Sequence, residues 1–453
     1  MDKKLHMVSL GCAKNLINAE QMLAALLEAG YSYCEEPEEA DIIIVNTCAF
    51  IEQAKSEAIE NILEMAEYKN SGALVGLVVT GCLAQRYADQ LFEEMPEIDA
   101  VLGVGSYDEI VEVCDKIFTD ADAGKLGETG KTVRMGDING PLCELPRLVT
   151  TPEYTAYLKI ADGCDNHCAY CIIPQLRGKY RSREMGLILE EAKTLASQGA
   201  KEIIVIAQDI SAYGLDLYGK RCLPELLHKI CAIDGVEWVR LHYLYPDEID
   251  DELIETLASE PKILHYLDIP IQHVSDRILK AMNRRYTRTD IENLVRTLRK
   301  KLPGLVLRTS LIVGLPGETD EEFAELCDFM QRMKFQKAGV FTYSQEEGTL
   351  AAEMPDQIDE ETKVKRQDVL MSIQDKVLTK YNKSLIGRTV TVLTEGYDRS
   401  AGCYYGRSYA ESLDVDGKIF FLSPDKKAEP GEFVKVRIKD EIDGDLSGDR
   451  VEA

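Results

Sequence analysis

Three cysteines lie in the stretch Gly163-Cys164-Asp165-Asn166-His167-Cys168-Ala169-Tyr170-Cys171, directly after an apolar segment at 154–160 that predicts a strand. Three thiolates can hold three irons of a four-iron cubane cluster and leave the fourth iron without a protein ligand. An open metal position can bind a substrate or a cofactor. The alternative is a structural zinc with His167 as fourth ligand, but the spacing is not that of a zinc ribbon. We therefore expect these loop cysteines (Cys164, Cys168 and Cys171) to carry an iron–sulfur cluster.

Length and composition indicate an ordinary globular protein. The 453 residues predict about three domains, and 45% hydrophobic with 29% charged residues is typical of such chains. No apolar run approaches the roughly 18 residues of a membrane helix, and the N-terminus lacks the features of a signal peptide. We expect a cytoplasmic location, where 13 cysteines favour metal ligation over disulfides. The net charge of −27 argues against a general nucleic-acid binder and permits a basic partner.

Residues 1–118 alternate short apolar strands with amphipathic helices, which predicts a doubly wound parallel α/β domain. We expect strands near 5–10, 41–46, 74–80 and 102–105, and helices near 20–30, 51–68, 87–95 and 107–118. A cysteine follows each of the first three strands, and these strand-end cysteines are Cys12, Cys48 and Cys82. Ligands bind beyond the carboxyl ends of parallel strands, so the three are expected to converge on one site. The alternative is that they are unrelated core cysteines, since free cysteine is often buried.

The rest of the chain divides into three further segments. Residues 119–150, rich in Gly, Asp, Lys and Thr, are predicted to form a linker; Cys143 lies in it and has no assigned role. Residues 151–383 contain six strand–helix repeats, which predicts an open, partial (β/α)6 barrel with its active face at the carboxyl ends of the strands. Residues 384–453 show short alternating strands without a helix pattern, which predicts a small antiparallel five-stranded β-barrel that binds the substrate.

The loop cysteines resemble the signature of radical S-adenosylmethionine enzymes. Three further segments, 9–16, 46–51 and 80–87, resemble the N-terminal motifs of methylthiotransferases. Residues 172–174, 177–178, 270–273, 284–286 and 311–318 agree with the same family, and the final barrel is similar to a TRAM domain. The resemblance covers nearly the whole chain and consists of many independent motifs. The chain therefore resembles the radical S-adenosylmethionine methylthiotransferases.

This resemblance implies two 4Fe-4S clusters, one held by the loop cysteines and an auxiliary one held by the strand-end cysteines. S-adenosylmethionine on the open iron of the first cluster is split to methionine and a 5′-deoxyadenosyl radical, and a second molecule donates the methyl group. The auxiliary cluster carries the sulfur, so an unactivated C–H bond becomes C–S–CH3. A sulfur donor and an electron donor are implied as partners. The cofactors carry the difficult chemistry, while the protein orients them.

The resemblance also places residues near S-adenosylmethionine. Tyr170 is expected to lie against the adenine, and Gly314 and Gly317 to allow close backbone approach. Gln208 and Asp268 are expected to reach the amino-acid or ribose groups, although strand-end capping is an equal alternative. Arg177, Lys179, Arg181 and Arg183 form a basic run that is either a solvated surface or a guide for an anionic substrate. His167 and His273 are expected to be polar loop residues rather than ligands.

Two branches of the family differ in substrate. One modifies an adenosine in transfer RNA, and the other an aspartate of small-subunit ribosomal protein S-twelve. The segment Gly11-Cys12-Ala13-Lys14-Asn15-Leu16 resembles the second branch, although Ala13 replaces its proline and Asn18-Ala19 its usual Asp-Ser. Residues 384–453 carry ten Lys and Arg against fourteen Asp and Glu, a net charge of −4. An acidic barrel suits a basic protein better than RNA, whose phosphates attract cations.

The predicted reaction is therefore β-methylthiolation of an aspartate of ribosomal protein S-twelve. A transfer-RNA methylthiotransferase is the nearer alternative. A non-catalytic iron–sulfur protein that binds ribosomes or RNA is the more distant one, and the number of cysteine-bearing strand ends argues against it.

Overall fold

A computed structural model describes residues 3–71, 74–125 and 131–452. The first sheet is entirely parallel and has the strand order β2-β1-β3-β4-β5-β6. Its strands are β1 (Lys3–Ser9), β2 (Tyr31–Tyr33), β3 (Ile42–Thr47), β4 (Gly76–Gly81), β5 (Ala100–Leu102) and β6 (Thr132–Arg134). Its helices are α1 (Ala13–Glu28), α2 (Glu52–Ala66), α3 (Tyr68–Ser71), α4 (Cys82–Glu94) and α5 (Ile110–Asp122).

Alternating side chains of the central strands explain why helices cover both faces of this sheet. Ile43 and Val45 pack with α2 and α4, whereas Ile42 and Ile44, one residue out of step, pack with α1 and α5. A strand sends successive side chains to opposite faces, so a continuous run of β-branched residues requires a cover on each. The predicted doubly wound parallel domain is confirmed.

The central sheet is also parallel and six-stranded, in the order β7-β10-β11-β12-β13-β14, beside a small antiparallel ribbon β8-β9. The ribbon consists of β8 (Ala161–Asp162) and β9 (Arg181–Ser182), and the strands of the central sheet are β7 (Thr155–Lys159), β10 (Glu202–Ile206), β11 (Trp238–Leu241), β12 (Ile263–Asp268), β13 (Val306–Val313) and β14 (Lys337–Thr342). Its helices are α6 (Ile173–Arg177), α7 (Met185–Ser197), α8 (Leu215–Tyr218), α9 (Leu223–Cys231), α10 (Asp251–Ser259), α11 (Asp276–Ala281), α12 (Arg288–Lys301), α13 (Asp320–Met333) and α14 (Glu360–Lys383). The predicted open (β/α)6 arrangement is confirmed.

The C-terminal residues form the predicted closed five-stranded barrel, in the order β15-β16-β17-β19-β18. The prediction of an antiparallel barrel holds for four of its strand pairs, whereas β17 and β19 pair in parallel. Its strands are β15 (Thr389–Asp398), β16 (Cys403–Arg407), β17 (Ile419–Leu422), β18 (Phe433–Ile442) and β19 (Asp445–Val451). The sequence pattern did not indicate β16 and β19. Gly406 and Gly448 interrupt the hydrophobic alternation there, because a Cβ at either would meet the backbone of a neighbouring strand.

The segment 119–150 is only partly irregular. Helix α5 continues to Asp122, and β6 extends the edge of the first sheet. Residues 126–130, within the predicted linker, lie outside the described residues. The boundaries at 118, 150 and 383 remain predictions. None of the helices in the described ranges is long and apolar enough to cross a membrane.

A buried group of charges joins the central sheet to the barrel. Glu202 accepts hydrogen bonds from Arg240 (2.8 Å) and from Arg407 of β16 (2.7 Å), and Arg407 also pairs with Glu395 (2.6 Å). Burial alone would raise the pKa of Glu202, but Arg407 and Arg240 outweigh it and lower the pKa to about 2. The barrel is thus attached through an ionised carboxylate shared by two guanidinium groups.

Replacing Glu202 leaves both buried cations without their shared carboxylate, so we expect Glu202→Gln to lower the free energy of unfolding by about 3 kcal/mol at pH 7.5. The folded pKa of about 2 lies below the unfolded value of about 4.3. The stabilisation is therefore present above about pH 4.3 and is lost as the pH falls towards 2. Scanning calorimetry at pH 7.5 and at pH 4 should show the difference between wild type and variant shrinking at the lower pH.

The matched control is Glu361→Gln, which removes an exposed i,i+4 partner of Lys365. Exposed pairs contribute little, so its effect should stay within about 0.5 kcal/mol. Equal losses in the two variants would contradict the role assigned to Glu202.

Candidate functional site

The strand-end cysteines lie at the carboxyl ends of three adjacent parallel strands. Cys12 caps the N-terminus of α1 after β1, Cys48 follows β3, and Cys82 is the first residue of α4 after β4. Strand β3 pairs with β1 on one side and β4 on the other, and the register brings their last residues side by side. Both helices begin earlier than predicted, at 13 rather than 20 and at 82 rather than 87. The cysteines are thus part of tight strand-to-helix turns.

Glycines make these turns possible. Gly11 and Gly81 have φ angles of +88° and +94°, a region that L side chains rarely adopt. A Cβ on Gly11 would lie 2.7 Å from the Cβ of Cys48, and one on Gly81 would lie 2.8 Å from the amide nitrogen of Thr47. The two glycines therefore permit both the backbone turn and the close approach of neighbouring strand ends.

Side-chain hydrogen bonds hold the three strand ends together. Asn15 donates to the carbonyl oxygens of Leu10 (2.7 Å) and Thr47 (3.2 Å). Asn46 donates to the carbonyl of Asn15 (2.8 Å), and the Thr47 hydroxyl donates to the carbonyl of Thr80 (2.6 Å). These side chains are buried, so each bond is sheltered from competition with water.

The loop cysteines follow the ribbon strand β8 and precede α6. The amide of Cys164 donates to the Gly178 carbonyl (3.2 Å), and that of Cys171 to the Cys168 carbonyl (3.0 Å). Ala169, between the cysteines, donates to the carbonyl of Met282 (3.0 Å). The loop is therefore fixed from both sides, which holds its thiols in one region.

Electrostatics show that thiols within each set are neighbours. Burial raises the pKa of Cys164 and of Cys171 to about 12, and Cys168 adds to both shifts. Burial likewise raises the pKa of Cys48 to about 11, with Cys82 adding to it. Burial also acts on Cys12, but Lys14 and Arg177 outweigh it, so the pKa of Cys12 is lowered. Buried thiols of raised pKa lose their protons to solvent when they bind a metal as thiolates.

The donor set fits an iron–sulfur cluster better than a single ion. In the described part of the chain, no three His, Cys, Asp or Glu side chains are grouped closely enough to hold one metal ion. A cubane spreads its ligands over separate corners and so needs thiols further apart than a single ion does. Each set supplies three soft sulfur donors, the ligand type that selects such clusters.

One buried cation connects the two sets. Arg177, at the end of α6, donates to Asp162 (3.1 Å), two residues before Cys164, and to Asn15 (3.2 Å) in α1. Asp162 also accepts from Gln208 (2.8 Å) and pairs with Lys159 (3.2 Å). Burial alone would raise the pKa of Asp162, but Arg177 and Lys159 hold it well below its usual range. Asp162 is therefore an ionised carboxylate between the loop cysteines and the first domain.

The predicted S-adenosylmethionine contacts lie around the loop, beginning with Tyr170 and Gln208. Tyr170 is held by Arg284, whose guanidinium donates to its hydroxyl at 2.6 Å. Gln208 uses its amide nitrogen on Asp162, and its buried carbonyl oxygen has no hydrogen-bond partner among the residues described. An acceptor without a partner favours contact between Gln208 and a ligand that donates a hydrogen bond over a role in strand-end capping.

The other three residues predicted to contact S-adenosylmethionine differ in the partners they already have and in the space around them. Asp268 is buried and already paired with Arg308 (3.0 Å). Gly314 packs tightly on Lys363 and donates its amide to Glu318, whereas an added Cβ at Gly317 would be in ordinary van der Waals contact with Arg277, at 3.9 Å. Burial raises the pKa of Asp268 even though Arg308 opposes it. The five residues remain predictions as cofactor contacts.

Sequence reasoning missed the part played by the basic run. Only Lys179 of the run is exposed; Arg177 and Arg183 are buried, and Arg183 pairs with Glu144 and Glu191. Asp162 was not predicted as a functional residue, because a single acidic residue before a cysteine motif belongs to no recognisable pattern. The partner of a buried charge is distant in sequence, so only the fold reveals it.

Two glycines of nearly equal φ allow the strand-end geometry to be tested. Gly81, with φ +94° and ψ −157°, adopts a conformation that is essentially restricted to glycine, and an added Cβ would clash with Thr47. We therefore expect Gly81→Ala to lower the free energy of unfolding by about 3 kcal/mol. Gly30 has a φ of +92° with nothing within 4 Å of an added Cβ, so Gly30→Ala should cost only about 1 kcal/mol. Thermal unfolding measures both, and equal losses would show that the close approach at Gly81 is unimportant.

Comparison with known proteins agrees with this geometry. Three family descriptions match: "Uncharacterized protein family UPF0004" at residues 4–103, "Radical SAM superfamily" at 158–330 and "TRAM domain" at 386–451. The chain is 50% identical to the ribosomal protein uS12 methylthiotransferase RimO of Lachnoclostridium phytofermentans, over 98% of this chain and 99% of that protein. The protein of the same name from Clostridioides difficile is 48% identical over 98% of each.

Among solved structures, the radical S-adenosylmethionine methyltransferase TsrM from Kitasatospora setae is similar, with a TM-score of 0.55 and 17% identity. The alignment covers 75% of this chain and 73% of TsrM, and at this identity it supports the fold alone. The two cysteine sets, the matched domains and identity near one half over the full length lead to one conclusion. The chain belongs to the RimO family of radical S-adenosylmethionine methylthiotransferases.

Proposed function

We propose that this protein is the enzyme that attaches a methylthio group to an aspartate of ribosomal protein uS12. The observation that carries the proposal is identity of 50% over 98% of the chain to a protein of that named activity. The placement of three cysteines at the strand ends of one sheet and three in the first loop of the next supports the same function. This arrangement provides each of two clusters with three thiol ligands.

In this proposal the loop cysteines hold the cluster that binds S-adenosylmethionine, and the strand-end cysteines hold the auxiliary cluster. When bound, these groups supply the electron, the 5′-deoxyadenosyl radical, the sulfur and the methyl group. The protein supplies positioning. The backbone bonds of Cys164, Ala169 and Cys171 fix the loop, and Asn15 and Asn46 fix the strand ends.

Two further side chains are placed to orient the cofactor. Arg284 holds the Tyr170 ring in place by its hydrogen bond, so the ring can lie flat against an adenine without rotational freedom. The free carbonyl oxygen of Gln208 can accept a hydrogen bond from an ammonium or a ribose hydroxyl. Orientation of this kind lowers the entropic cost of the reaction.

The acidic barrel is proposed to attract the basic ribosomal protein. Complementary charge raises the rate of encounter and disfavours RNA, whose phosphates the net charge of −4 over residues 384–453 repels. The proposal also requires an electron donor and a sulfur donor, and because ribosomes are cytoplasmic, it places the reaction there.

The two cysteine sets should have separable roles. Anaerobic reconstitution of the wild type should give about eight irons per chain, and each triple Cys→Ala variant about four. The loop-cysteine variant should lose cleavage of S-adenosylmethionine, since its activating cluster is gone. The strand-end variant should keep cleavage and lose sulfur insertion. Iron analysis, and chromatography of 5′-deoxyadenosine, measure the two effects.

Each variant is the control for the other, because both remove three thiols. Iron content unchanged in the strand-end variant would overturn the two-cluster assignment. Loss of cleavage in both variants would show that the sets do not act separately.

The substrate is tested by incubating the reconstituted, reduced enzyme with S-adenosylmethionine and either purified uS12 or bulk transfer RNA. We expect uS12 alone to gain about 46 Da, the mass of CH3S replacing hydrogen. Fragmentation should locate the gain on an aspartate, and the strand-end variant should give none. Modified RNA with unmodified uS12 would instead establish a transfer-RNA enzyme.

A further inference from the structure

Lys14 is a buried lysine in the first turn of α1, two residues after the strand-end Cys12. Only 8% of its surface is exposed. Its ammonium nitrogen lies 3.5 Å from the ring centroid of Tyr243, the second residue after the end of β11. Leu16 and Ile17, on the same helix, pack in one hydrophobic cluster with Tyr243. The start of α1 therefore lies against the carboxyl edge of the central sheet.

The segment after β11 contacts both cysteine sets. The hydroxyl of Tyr245 lies 3.9 Å from the sulfur of the loop Cys168, whereas the Tyr243 ring lies under Lys14, beside Cys12. Tyr243 and Tyr245 are only two positions apart, so one short piece of chain joins the two sets. Cys12, Cys168 and Tyr243 are each partly exposed, so a ligand can reach this region. Lys14 thus lies where a substrate shared by two clusters would have to bind.

The positive charge of Lys14 is not neutralised by the protein. Among the described residues, no carboxylate is close enough to its ammonium group to form an ion pair. The acids that end β12 and β8 are engaged elsewhere, because Asp268 pairs with Arg308 (3.0 Å) and Asp162 with Arg177 (3.1 Å). The Lys14 nitrogen is not among the fully enclosed polar atoms that lack a partner. It is therefore a cation that an anionic ligand can still reach.

The tyrosine ring does not replace an anion. A cation over the face of a desolvated ring gains about 2 kcal/mol. Taking an ammonium ion out of water costs more than that, and lysine is almost never buried without a charged partner. Lys14 is therefore expected to meet an anion when the enzyme binds its substrate. The proposed function supplies one, because its target side chain is an aspartate.

Tyr243 itself has an unusual backbone conformation. Its φ of +66° lies in the left-handed region, which costs a residue other than glycine about 1–2 kcal/mol. Its carbonyl accepts from the amide of Ile210 (3.1 Å), and the next amide, of Leu244, donates to the carbonyl of Asp268 (2.9 Å). Strain of this kind is concentrated at functional sites, where surrounding structure fixes the residue. Here the strained residue is the one whose ring lies under Lys14.

We propose that Lys14 binds the carboxylate of the substrate aspartate and thereby places the adjacent β-carbon beside the strand-end cysteines. This assignment rests on the proposed function, which makes a carboxylate side chain the target. The carboxylate carbon is bonded directly to the β-carbon, so holding the first positions the second. The contact is a charge-assisted hydrogen bond, and no covalent bond forms or breaks in it. Lys14 is thus the residue that distinguishes an aspartate from an asparagine.

Binding of uS12 tests this assignment without turnover. Reconstituted enzyme with S-adenosylmethionine and no reductant is titrated against fluorescently labelled uS12, carrying either the target aspartate or asparagine in its place. Fluorescence anisotropy gives the two dissociation constants. The wild type should bind the aspartate form about tenfold more tightly, because the amide cannot form a charge-assisted contact. Lys14→Met, which removes the charge and keeps the length, should bind both forms equally, and Lys14→Arg should restore most of the preference.

The matched control is Lys131→Met. Lys131 also lies over an aromatic ring, 4.7 Å from the centroid of Phe92, but it is exposed and directly precedes the edge strand β6. This variant should keep the wild-type preference for aspartate. Tyr243→Leu leaves the ammonium group without its supporting ring, so the preference should fall about threefold. Iron content and melting temperature are measured for every variant, so that a folding defect is recognised as such.

Turnover gives a second measurement. With reductant added, kcat/KM for methylthiolation of uS12 should be about 100-fold lower in Lys14→Met than in the wild type, since both binding and placement of the β-carbon are impaired. Lys14→Arg should stay within tenfold of the wild type, and Lys131→Met should be unchanged. The electron paramagnetic resonance spectrum of the reduced clusters is recorded for each variant.

Three results would overturn the assignment while leaving the proposed function intact. They are equal binding of the two uS12 forms by the wild type, a tenfold preference retained in Lys14→Met, and a retained preference with an altered cluster spectrum. The last would assign the charge of Lys14 to the auxiliary cluster instead of the substrate. Failure of the proposed function is recognised separately, because the reduced wild type would then leave uS12 unmodified.

Discussion

The arrangement of the two cysteine sets depends on one buried guanidinium. Arg177 belongs to the loop region of the central domain, yet its hydrogen bonds reach Asn15 and Asn18 of the first domain and Asp162 beside the loop cysteines. Taking a cation out of water is costly unless charge and hydrogen bonds replace the lost solvation. Asp162 supplies the charge, and the two amides supply the remaining acceptors. The position of α6 is therefore tied to the strand ends of the neighbouring domain.

Packing reinforces this link. Ile172 and Leu176, directly after the loop cysteines, lie in the hydrophobic core of the first domain together with Cys82. Arg86 and Lys55 of the first domain also share the buried carboxylate of Glu346 in the central domain, at 2.6 and 3.1 Å. Apolar packing stabilises the contact between the two domains without fixing their relative orientation, whereas the directional hydrogen bonds of the ion pairs do fix it. Together they hold the carboxyl ends of the two sheets in contact, as a reaction between two clusters would require.

The periodic parts of the fold could be predicted because they obey local rules. The run Ile42–Val45 predicted a doubly covered strand, and spaced strand–helix repeats predicted the six-stranded central sheet. The elements that the sequence pattern predicted wrongly or not at all also have physical explanations. Helices α1 and α4 begin at the cysteine turns because glycines allow an abrupt change of chain direction. Hydrophobic periodicity does not predict such early helix starts. The strands β16 and β19 contain glycines required by the narrow barrel. The helix α14 buries Lys363, Arg366 and Gln374, so its pattern resembles that of a solvated segment.

The sequence by itself determined the cysteine spacing, the three-part organisation and the family, because ligand type and strand-end position are local properties of the chain. The convergence of Cys12, Cys48 and Cys82 followed from the topology of any parallel sheet. Only the tertiary structure decided that Arg177 is a buried link rather than a surface charge. This role depends on Asn15, a partner more than 150 residues away in the sequence. Such partners come into contact only once both sheets have formed.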